Sequence, residues 1–410
     1  MKYLIQAPER IDCTIYPPAS KSISNRALII NTLSYSPLPI KNLAKCDDTE
    51  VLAKALNSNK RNFDVGAAGT AMRFLTAYLS KIVGEWTITG TERMQQRPIK
   101  LLVDVLRQLG ARIEYTGKEG YPPLKIYGSA LQGGEITMDG GVSSQYISAL
   151  LMIAPCMENG LTLNLTGQVI SRPYIQLTLR LMEQFGISSF WKDQTIRIAP
   201  QEYRPTSVFV ESDWSATSYW YEMMALQPAA SIAMTGLRKN SMQGDAAVAK
   251  LFERLGVHTA FDNEGVRLRS GVNTTKKLVY NFVNEPDLAQ TLVVTALFLD
   301  LPFRFSGLQS LKIKETDRVG ALQTELRKLG YVINESADGV LEWNGERCEP
   351  EADPVINTYE DHRMAMAFAP VALKRLEGIC IADPEVVSKS YPRYWDDLRK
   401  AGFTINEISE

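Results

Sequence analysis

Histidine is almost absent from this 410-residue sequence, in which only His258 and His362 occur. Neither belongs to an HExxH pair, so the sequence predicts no histidine-rich metal site. Cysteine is also scarce: the five cysteines are scattered, without a CxxC pair or an even disulfide framework. This usage is typical of a protein of the reducing cytoplasm.

The chain also lacks a strong net charge, a long apolar run and a nucleotide fingerprint. A formal net charge of −1 argues against binding to nucleic acid or to an anionic membrane. The first residues, Met1–Pro8, have no signal-peptide core, and no uninterrupted apolar span reaches membrane length. The small-residue loop Gly66–Arg73 is neither a P-loop nor a GxGxxG motif, so no nucleotide cofactor is predicted.

What the chain does contain is a repeated pattern, in which an amphipathic helix is followed by a glycine and a short extended run. The glycines are Gly110, Gly186, Gly256, Gly330 and Gly402, with separations of 76, 70, 74 and 72 residues. Each stands where a helix end favours a left-handed residue. An earlier helix over Asp48–Leu56 indicates a sixth, truncated repeat, because Asn57–Asp64 after it shows no glycine and no strand pair.

A chain of this length favours two domains. We therefore predict an α/β (α+β) fold of two similar domains with three repeats each, the first repeat being shortened. The break at Pro17-Pro18 and the fresh helix start near Ser212 predict one discontinuous domain, residues 1–19 and 212–410, and a second domain, residues 20–211. The loop at Pro17 would then lie at the hinge and face a cleft between the domains.

That loop, Pro17–Leu28, runs straight into a predicted helix that Ser20 or Ser22 could cap. The first turn of a helix attracts anions, and Lys21 and Arg26 would add full positive charges. An ordinary capped surface helix explains this stretch equally well.

Other predicted helix starts also carry charged, amide or hydroxyl side chains, or a glycine that leaves the backbone open to a ligand. They include Gly69 in a small-residue loop, Arg93 and Arg97, Ser143, Ser144 and Gln145, Ser171, Asp287, Lys314, Glu315 and Arg318, Arg363, and Lys389. Each alone could be a cap or a solvated charge. Cations recur at helix starts, against the preference of the helix dipole for acids there, and bound anions would explain that placement.

Together these stretches resemble the 5-enolpyruvylshikimate-3-phosphate synthase family, the enolpyruvyl transferases of the shikimate pathway, also named 3-phosphoshikimate 1-carboxyvinyltransferases. The resemblance rests on SKSxSNRA, GTAMR, ERMxxRP, VSSQ, SRPY, NSMQGD, KETDR, DHRMAM and SKSYP, and spans nearly the whole chain. It implies two domains of three βαβαββ repeats, an inside-out α/β barrel that closes on its substrates. It also implies a cytoplasmic monomer of chorismate and aromatic amino acid biosynthesis, without cofactor or metal.

The resemblance further implies which residues contact the two substrates. Shikimate-3-phosphate would be bound by Lys21, Ser22, Arg26, Ser143, Ser144, Gln145, Ser171, Asp287 and Lys314. Phosphoenolpyruvate would be bound by Lys21, Gly69, Arg97, Gln145, Arg318, Arg363 and Lys389. A dense group of cations suits substrates that carry two phosphates and two carboxylates.

The implied reaction is addition followed by elimination. We predict that Asp287 removes the proton of the 5-hydroxyl as that oxygen attacks C2 of phosphoenolpyruvate. Glu315 or Lys21 would protonate C3, and the tetrahedral intermediate would then lose phosphate. Lys314 and Arg318 beside Glu315 oppose the raised pKa that an acid role requires, so Lys21 stands as a competing donor.

The sequence departs from the family pattern at three positions: Ala67 and Phe74 replace the Asn and Pro of NAGTAMRP, and Ser310 replaces the Asn ahead of KETDR. Two alternatives are a UDP-N-acetylglucosamine enolpyruvyl transferase and a non-catalytic anion-binding relative. The first would show Lys-Asn in place of Lys21-Ser22 and a reactive cysteine, which Thr91–Pro98 lacks.

Overall fold

The computed structural model describes residues 1–227 and 229–408, and over them strands and helices alternate in a mixed α/β fold, as predicted. The strands are β1 (Lys2–Gln6), β2 (Asp12–Ile15), β3 (Asn62–Asp64), β4 (Gly84–Thr89), β5 (Arg112–Tyr115), β6 (Leu124–Gly128), β7 (Gly134–Asp139), β8 (Leu161–Thr166), β9 (Phe190–Lys192), β10 (Thr195–Ile198), β11 (Ser231–Thr235), β12 (Val257–Phe261), β13 (Gly265–Ser270), β14 (Leu278–Asn281), β15 (Phe303–Ser306), β16 (Asn334–Ala337), β17 (Val340–Trp343), β18 (Val355–Ile356), β19 (Ile379–Ala382) and β20 (Thr404–Ile408). The α-helices are α1 (Lys21–Leu33), α2 (Asp47–Leu56), α3 (Gly69–Lys81), α4 (Glu92–Gln95), α5 (Lys100–Gln108), α6 (Ser144–Ile153), α7 (Arg172–Gln184), α8 (Trp214–Leu226), α9 (Val248–Glu253), α10 (Ala289–Phe298), α11 (Arg318–Lys328), α12 (His362–Phe368) and α13 (Tyr394–Lys400). Short 3-10 helices cover Ala154–Cys156, Gly244–Ala247, Pro286–Leu288, Gln309–Ile313, Ala369–Lys374 and Pro384–Lys389.

The chain divides into two compact units. The terminal unit contains Met1–Pro18 and the residues from Glu211 onward, and the inserted unit contains Ala19–Val210. We propose that these units are the two domains of the protein.

Each unit is built from four-stranded sheets. Within the described residues the terminal unit has three, with strand orders β12-β13-β11-β2, β14-β15-β17-β16 and β18-β19-β1-β20, and the inserted unit has two, β3-β4-β6-β5 and β7-β8-β10-β9. Each sheet contains one parallel pair, for example β7 with β8. Parallel neighbours need a crossover connection, and in four of the five sheets a helix supplies it directly: α3, α6, α10 and α12.

These crossover helices lie in the buried cores of the two units, and α8 lies with them in the core of the terminal unit. In α8 every residue except Ser215 is buried, and in α12 all residues are. A helix that is apolar on all sides must be buried, so the first residues of these helices are held in fixed positions by the packing behind them. No helix within the described ranges combines the length and apolar character that crossing a membrane requires.

Residues 21–56 contain helices α1 and α2 but no β-strand. Between the two helices, Lys41 forms an isolated parallel bridge with Phe209. Asn57–Asp64 holds no pair of strands, as expected, but a single strand lies at its end. Asn62–Asp64 form β3, which pairs in parallel with β4. This short strand is stabilised by its pairing with β4. It could not be predicted from the sequence, because three residues are too few to show the alternation of apolar and polar residues that indicates a strand.

The glycines that end the repeated helices have the predicted left-handed conformation. Their φ angles are +102° (Gly110), +85° (Gly186), +81° (Gly256), +90° (Gly330) and +96° (Gly402). Only glycine adopts this region without strain, which explains why the same residue recurs at each helix end.

Candidate active site

Seven charged side chains of the terminal unit form one connected network, which we call the acid–arginine cluster. Its members are Asp287, Lys314, Glu315, Arg318, Asp361, Arg363 and Lys389. The Asp287 carboxylate lies 2.8 Å from Nη2 of Arg363, 3.2 Å from Nη1 of Arg318 and 3.8 Å from Nζ of Lys314. All of these residues except Asp361 were predicted site residues, and the structure brings them together although they are distant in the chain.

Arg318 connects the acids of the cluster. Its side chain is only 1% exposed, and its Nε donates to Asp361 Oδ2 at 2.7 Å while Nη2 donates to Glu315 Oε2 at 2.9 Å. Lys389 Nζ lies 3.8 Å from the other oxygen of Glu315. Burial alone would lower the pKa of Arg318, but Asp361, Glu315 and Asp287 raise it above its usual value. The guanidinium therefore stays charged without water around it.

Two helix caps fix the arginines. Asp317 accepts hydrogen bonds from the backbone N–H groups at the start of α11, where Arg318 is the first residue. Asp361 caps α12 by accepting from the Arg363 N–H at 2.9 Å and also binds the Arg318 side chain. Asp361 thus orients both arginines; the acid directly before His362-Arg363 could have suggested the cap, but not the contact with Arg318.

The cluster controls the protonation of its central acid. Burial alone would raise the pKa of the Asp287 carboxyl, but Arg363, Lys314 and Arg318 outweigh it and hold that pKa well below its usual range. Burial also lowers the pKa of the Lys314 ammonium, against the opposing effect of Asp287. Asp287 is therefore an ionised acceptor beside a lysine that releases its proton more readily than an ordinary lysine.

A further buried acid, Asp245, lies near the cluster in the NSMQGD motif. Ser215 Oγ donates a hydrogen bond to its Oδ2. Burial and, after it, the Asp287 charge raise the pKa of Asp245 to about 7. No sequence signal singled out Asp245 as a site residue, because an acid after a glycine is common in loops.

Replacing Asp245 with asparagine should flatten the pH dependence of stability. The folded state holds a proton on Asp245 up to pH about 7, whereas an unfolded Asp loses it near pH about 3.9. Asp245 therefore stabilises the fold fully below the lower value and progressively less as pH rises towards the upper one. The measurement is the midpoint of thermal unfolding at about pH 5 and about pH 8, below and above the folded-state pKa of Asp245. The wild-type midpoint should fall more than that of Asp245→Asn, and equal falls would contradict the prediction.

The inserted unit holds the second group of predicted residues, beginning at the start of α1. Ser20 is the cap of this helix, since its Oγ accepts from the Ile23 N–H at 3.4 Å, which decides between Ser20 and Ser22. Lys21 Nζ lies 3.0 Å from Asp48 Oδ2, and the two side chains are 17% and 5% exposed. The cation is thus held by an acid of α2 that the sequence had not connected with it.

Gly69 and Arg97 lie against one another. A Cβ built on Gly69 would stand 2.7 Å from Nη1 of Arg97, so the missing side chain is what lets the guanidinium approach the first turn of α3. Gln145 Nε2 donates to Thr70 Oγ1 at 3.1 Å. Three of the residues predicted for phosphoenolpyruvate therefore meet around one helix start.

The predicted serines occupy the starts of α6 and α7. Ser143 caps α6, its Oγ accepting from the Gln145 N–H at 3.4 Å, and Ser144 is buried beside it. Ser171 precedes α7 with a φ of +51° and makes no cap hydrogen bond through its side chain. A residue other than glycine in this region is strained, and such strain is concentrated at functional sites.

Comparison with known proteins agrees with these motifs. The chain matches the sequence profile of the family described as EPSP synthase (3-phosphoshikimate 1-carboxyvinyltransferase) over residues 5–60 and 54–398. It is 59% identical over 406 residues to the 3-phosphoshikimate 1-carboxyvinyltransferase of Bacteroides fragilis, covering 99% of each chain. It is 37% identical over 421 aligned positions to the protein of that name from Vibrio cholerae, covering 96% of this chain and 97% of that one.

The fold is also that of a solved structure. EPSP synthase from Acinetobacter baumannii superposes with a TM-score of 0.79 at 20% sequence identity, over 99% of this chain and 100% of that one. The predicted fold class and the resemblance inferred from the motifs are both confirmed. This chain belongs to the EPSP synthase family, the 3-phosphoshikimate 1-carboxyvinyltransferases.

Proposed function

We propose that the acid–arginine cluster and the helix starts of the inserted unit carry out the reaction of this family. The enolpyruvyl group of phosphoenolpyruvate is transferred to the 5-hydroxyl of shikimate-3-phosphate, and phosphate is released. In the addition step the O5–C2 bond forms, O5 loses its proton and C3 gains one. In the elimination step C3 loses a proton and the C2–O bond to phosphate breaks, which restores the double bond.

Asp287 is the base of this proposal. The observation that carries it is the position of its carboxylate among Arg363, Arg318 and Lys314, which keeps it ionised. A base with a very low pKa is weak, and bound phosphoenolpyruvate would lessen this effect by attracting Arg363 and Arg318, two of these cations, to its own charges. The proton affinity of Asp287 would then rise at the moment at which the 5-hydroxyl must be deprotonated.

The donor of the C3 proton is proposed to be Lys21 rather than Glu315. Glu315 is paired with Arg318 at 2.9 Å and with Lys389 at 3.8 Å, and both cations favour its ionised form. Lys21 forms an ion pair with Asp48 at 3.0 Å, and a lysine ammonium carries a proton that it can give up. A lysine that holds a substrate anion can deliver that proton without first having to acquire one.

The remaining assignments are those that the family resemblance implies, and the chemistry of the groups supports them. Shikimate-3-phosphate is bound by Lys21, Ser22, Arg26, Ser143, Ser144, Gln145, Ser171, Asp287 and Lys314. Phosphoenolpyruvate is bound by Lys21, Gly69, Arg97, Gln145, Arg318, Arg363 and Lys389. Hydroxyl and amide groups suit the ring hydroxyls and phosphate of the first substrate, and the planar forks of three arginines suit the carboxylate and phosphate of the second.

A phosphate-release assay tests the function. We expect release only when shikimate-3-phosphate and phosphoenolpyruvate are both present, because the leaving group departs only after O5 has added to C2. UDP-N-acetylglucosamine in place of shikimate-3-phosphate should give no release, and release in that reaction would favour the sister activity. Absence of release with both expected substrates would favour a non-catalytic anion-binding protein.

We further propose that the protein acts as a cytoplasmic monomer. Its five cysteines, at positions 13, 46, 156, 348 and 380, are all free, as a reducing compartment requires. Sedimentation of the purified chain would test the oligomeric state, and a dimer would contradict the proposed monomer.

A further inference from the structure

Arg26 is a buried cation whose hydrogen bonds all go to neutral groups. It is 2% exposed, and no carboxylate lies within ion-pair distance of it in residues 1–227 and 229–408. Burial accordingly lowers the pKa of its guanidinium to about 10, although Tyr174 opposes this. A buried charge normally has a charged partner, so Arg26 is suited to an anion that the chain itself does not supply.

Side chains of two other helices hold the guanidinium in position. Nε donates to Thr178 Oγ1 of α7 at 2.6 Å, and Nη2 donates to Ser148 Oγ of α6 at 3.0 Å. Nη1 donates to the Ser22 carbonyl oxygen at 2.9 Å, and Thr178 Oγ1 also lies 2.9 Å from Ser148 Oγ. Both hydroxyl residues are fully buried. Three of the five N–H groups of an arginine are thus fixed by neutral acceptors, and two are left for a ligand.

Phe74 covers the guanidinium from α3. The Arg26 Cζ atom lies 5.4 Å from the centre of the Phe74 ring, within the range of a cation–π contact. Phe74 is itself 1% exposed, and it is one of the three positions at which this sequence departs from the family pattern. The ring therefore replaces part of the hydration that Arg26 loses on burial.

We propose that Thr178, Ser148 and Phe74 are positioning residues for Arg26. They hold a charged guanidinium in one orientation, without neutralising it, so that its remaining N–H groups meet an anionic group of shikimate-3-phosphate. This rests on the proposed function, which places Arg26 on that substrate. Pre-positioning reduces the side-chain entropy lost on binding, and acceptors without charge leave the electrostatic attraction for the ligand.

The experiment measures shikimate-3-phosphate binding to the full chain by titration calorimetry, together with kcat and both KM values. Thr178→Val removes the acceptor at nearly constant shape, Thr178→Ser restores it, and Phe74→Leu removes the ring face. Losing a hydrogen bond to a charged group or a buried cation–π contact should raise the Kd of shikimate-3-phosphate by about tenfold or more. The KM of phosphoenolpyruvate at saturating shikimate-3-phosphate should stay within about twofold, and Thr178→Ser should bind nearly as the wild type does.

The variant Arg26→Met and the double variant Arg26→Met/Thr178→Val separate the two proposals. If Arg26→Met binds shikimate-3-phosphate normally, the assignment of Arg26 to that substrate is wrong. If Arg26→Met weakens binding but Thr178→Val and Phe74→Leu do not, the positioning role alone is overturned. The positioning role also fails if Thr178→Val weakens binding as much in the Arg26→Met variant as in the wild type, because Thr178 would then affect binding without acting through Arg26. Midpoints of thermal unfolding for each variant, with and without shikimate-3-phosphate, identify any loss that is due to the fold.

Discussion

Replacing Asp287 with alanine should lower kcat by about 10³-fold, because a positioned base contributes roughly 10²–10⁴ to turnover. The KM values should change far less than kcat. Three cations surround the Asp287 carboxylate, at 2.8, 3.2 and 3.8 Å, and removing the acid takes one negative charge away from them. The gain in positive charge should offset the contact with shikimate-3-phosphate that Asp287→Ala loses, so the affinity for either substrate should change far less than turnover.

Steady-state kinetics with both substrates check this, and Asp262→Ala is the matched control. Asp262 also pairs with an arginine, Arg267, at 3.3 Å, but both side chains are exposed, so its removal should change kcat by less than about twofold. A variant Asp287→Ala with near-normal turnover, or one whose loss lies entirely in KM, would falsify the role as base.

Asp287→Ala should also change the response of the fold to acid. The pKa of Asp287 is lowered in the folded state by its cations, so the carboxylate contributes stability above the unfolded pKa of about 3.9. That contribution is lost as pH falls through the folded value. The alanine variant should consequently unfold at a lower temperature at neutral pH, and its deficit should shrink in acid.

The acid–arginine cluster shows how far the sequence could predict the site. Asp287, Arg318 and Arg363 were identified because charged residues stand before apolar helices, and the structure places all three at or just ahead of buried helix starts. Local rules of helix capping and burial are sufficient for this, since they involve only neighbours in the chain. The resemblance of the motifs to a known family then assigned these separate helix starts to one site, which the spacing of residues alone could not do.

The partners of these residues could not be predicted in the same way. Asp361 binds Arg318 across 43 positions of the chain, and Thr178 binds Arg26 across 152. Neither contact leaves a periodic signal, because a threonine in an amphipathic helix and an aspartate at a helix cap already have local explanations. Only the packing of α1, α6 and α7, or of α11 and α12 against α10, brings such pairs together.

Replacing Lys21 with alanine should damage binding of both substrates and chemistry together. Lys21 is the one residue assigned to shikimate-3-phosphate, to phosphoenolpyruvate and to proton donation. Its removal also leaves Asp48, whose side chain is 5% exposed, without the cation that faces it. A buried carboxylate that has lost the charge of Lys21 would repel both anions, and with the lost proton donor the fall in kcat/KM should be about 10³-fold or more.

The double variant Lys21→Ala/Asp48→Asn separates charge from catalysis. Neutralising Asp48 removes the repulsion, so both KM values should recover in part, whereas kcat should stay low because no proton donor has been restored. Lys54→Ala is the matched control, since Lys54 also pairs with an acid of α2, Glu50 at 3.4 Å, but both side chains are largely exposed and the pair contributes little. If Lys21→Ala affects the KM of one substrate alone, or if the double variant regains full turnover, Lys21 does not have the double role assigned to it.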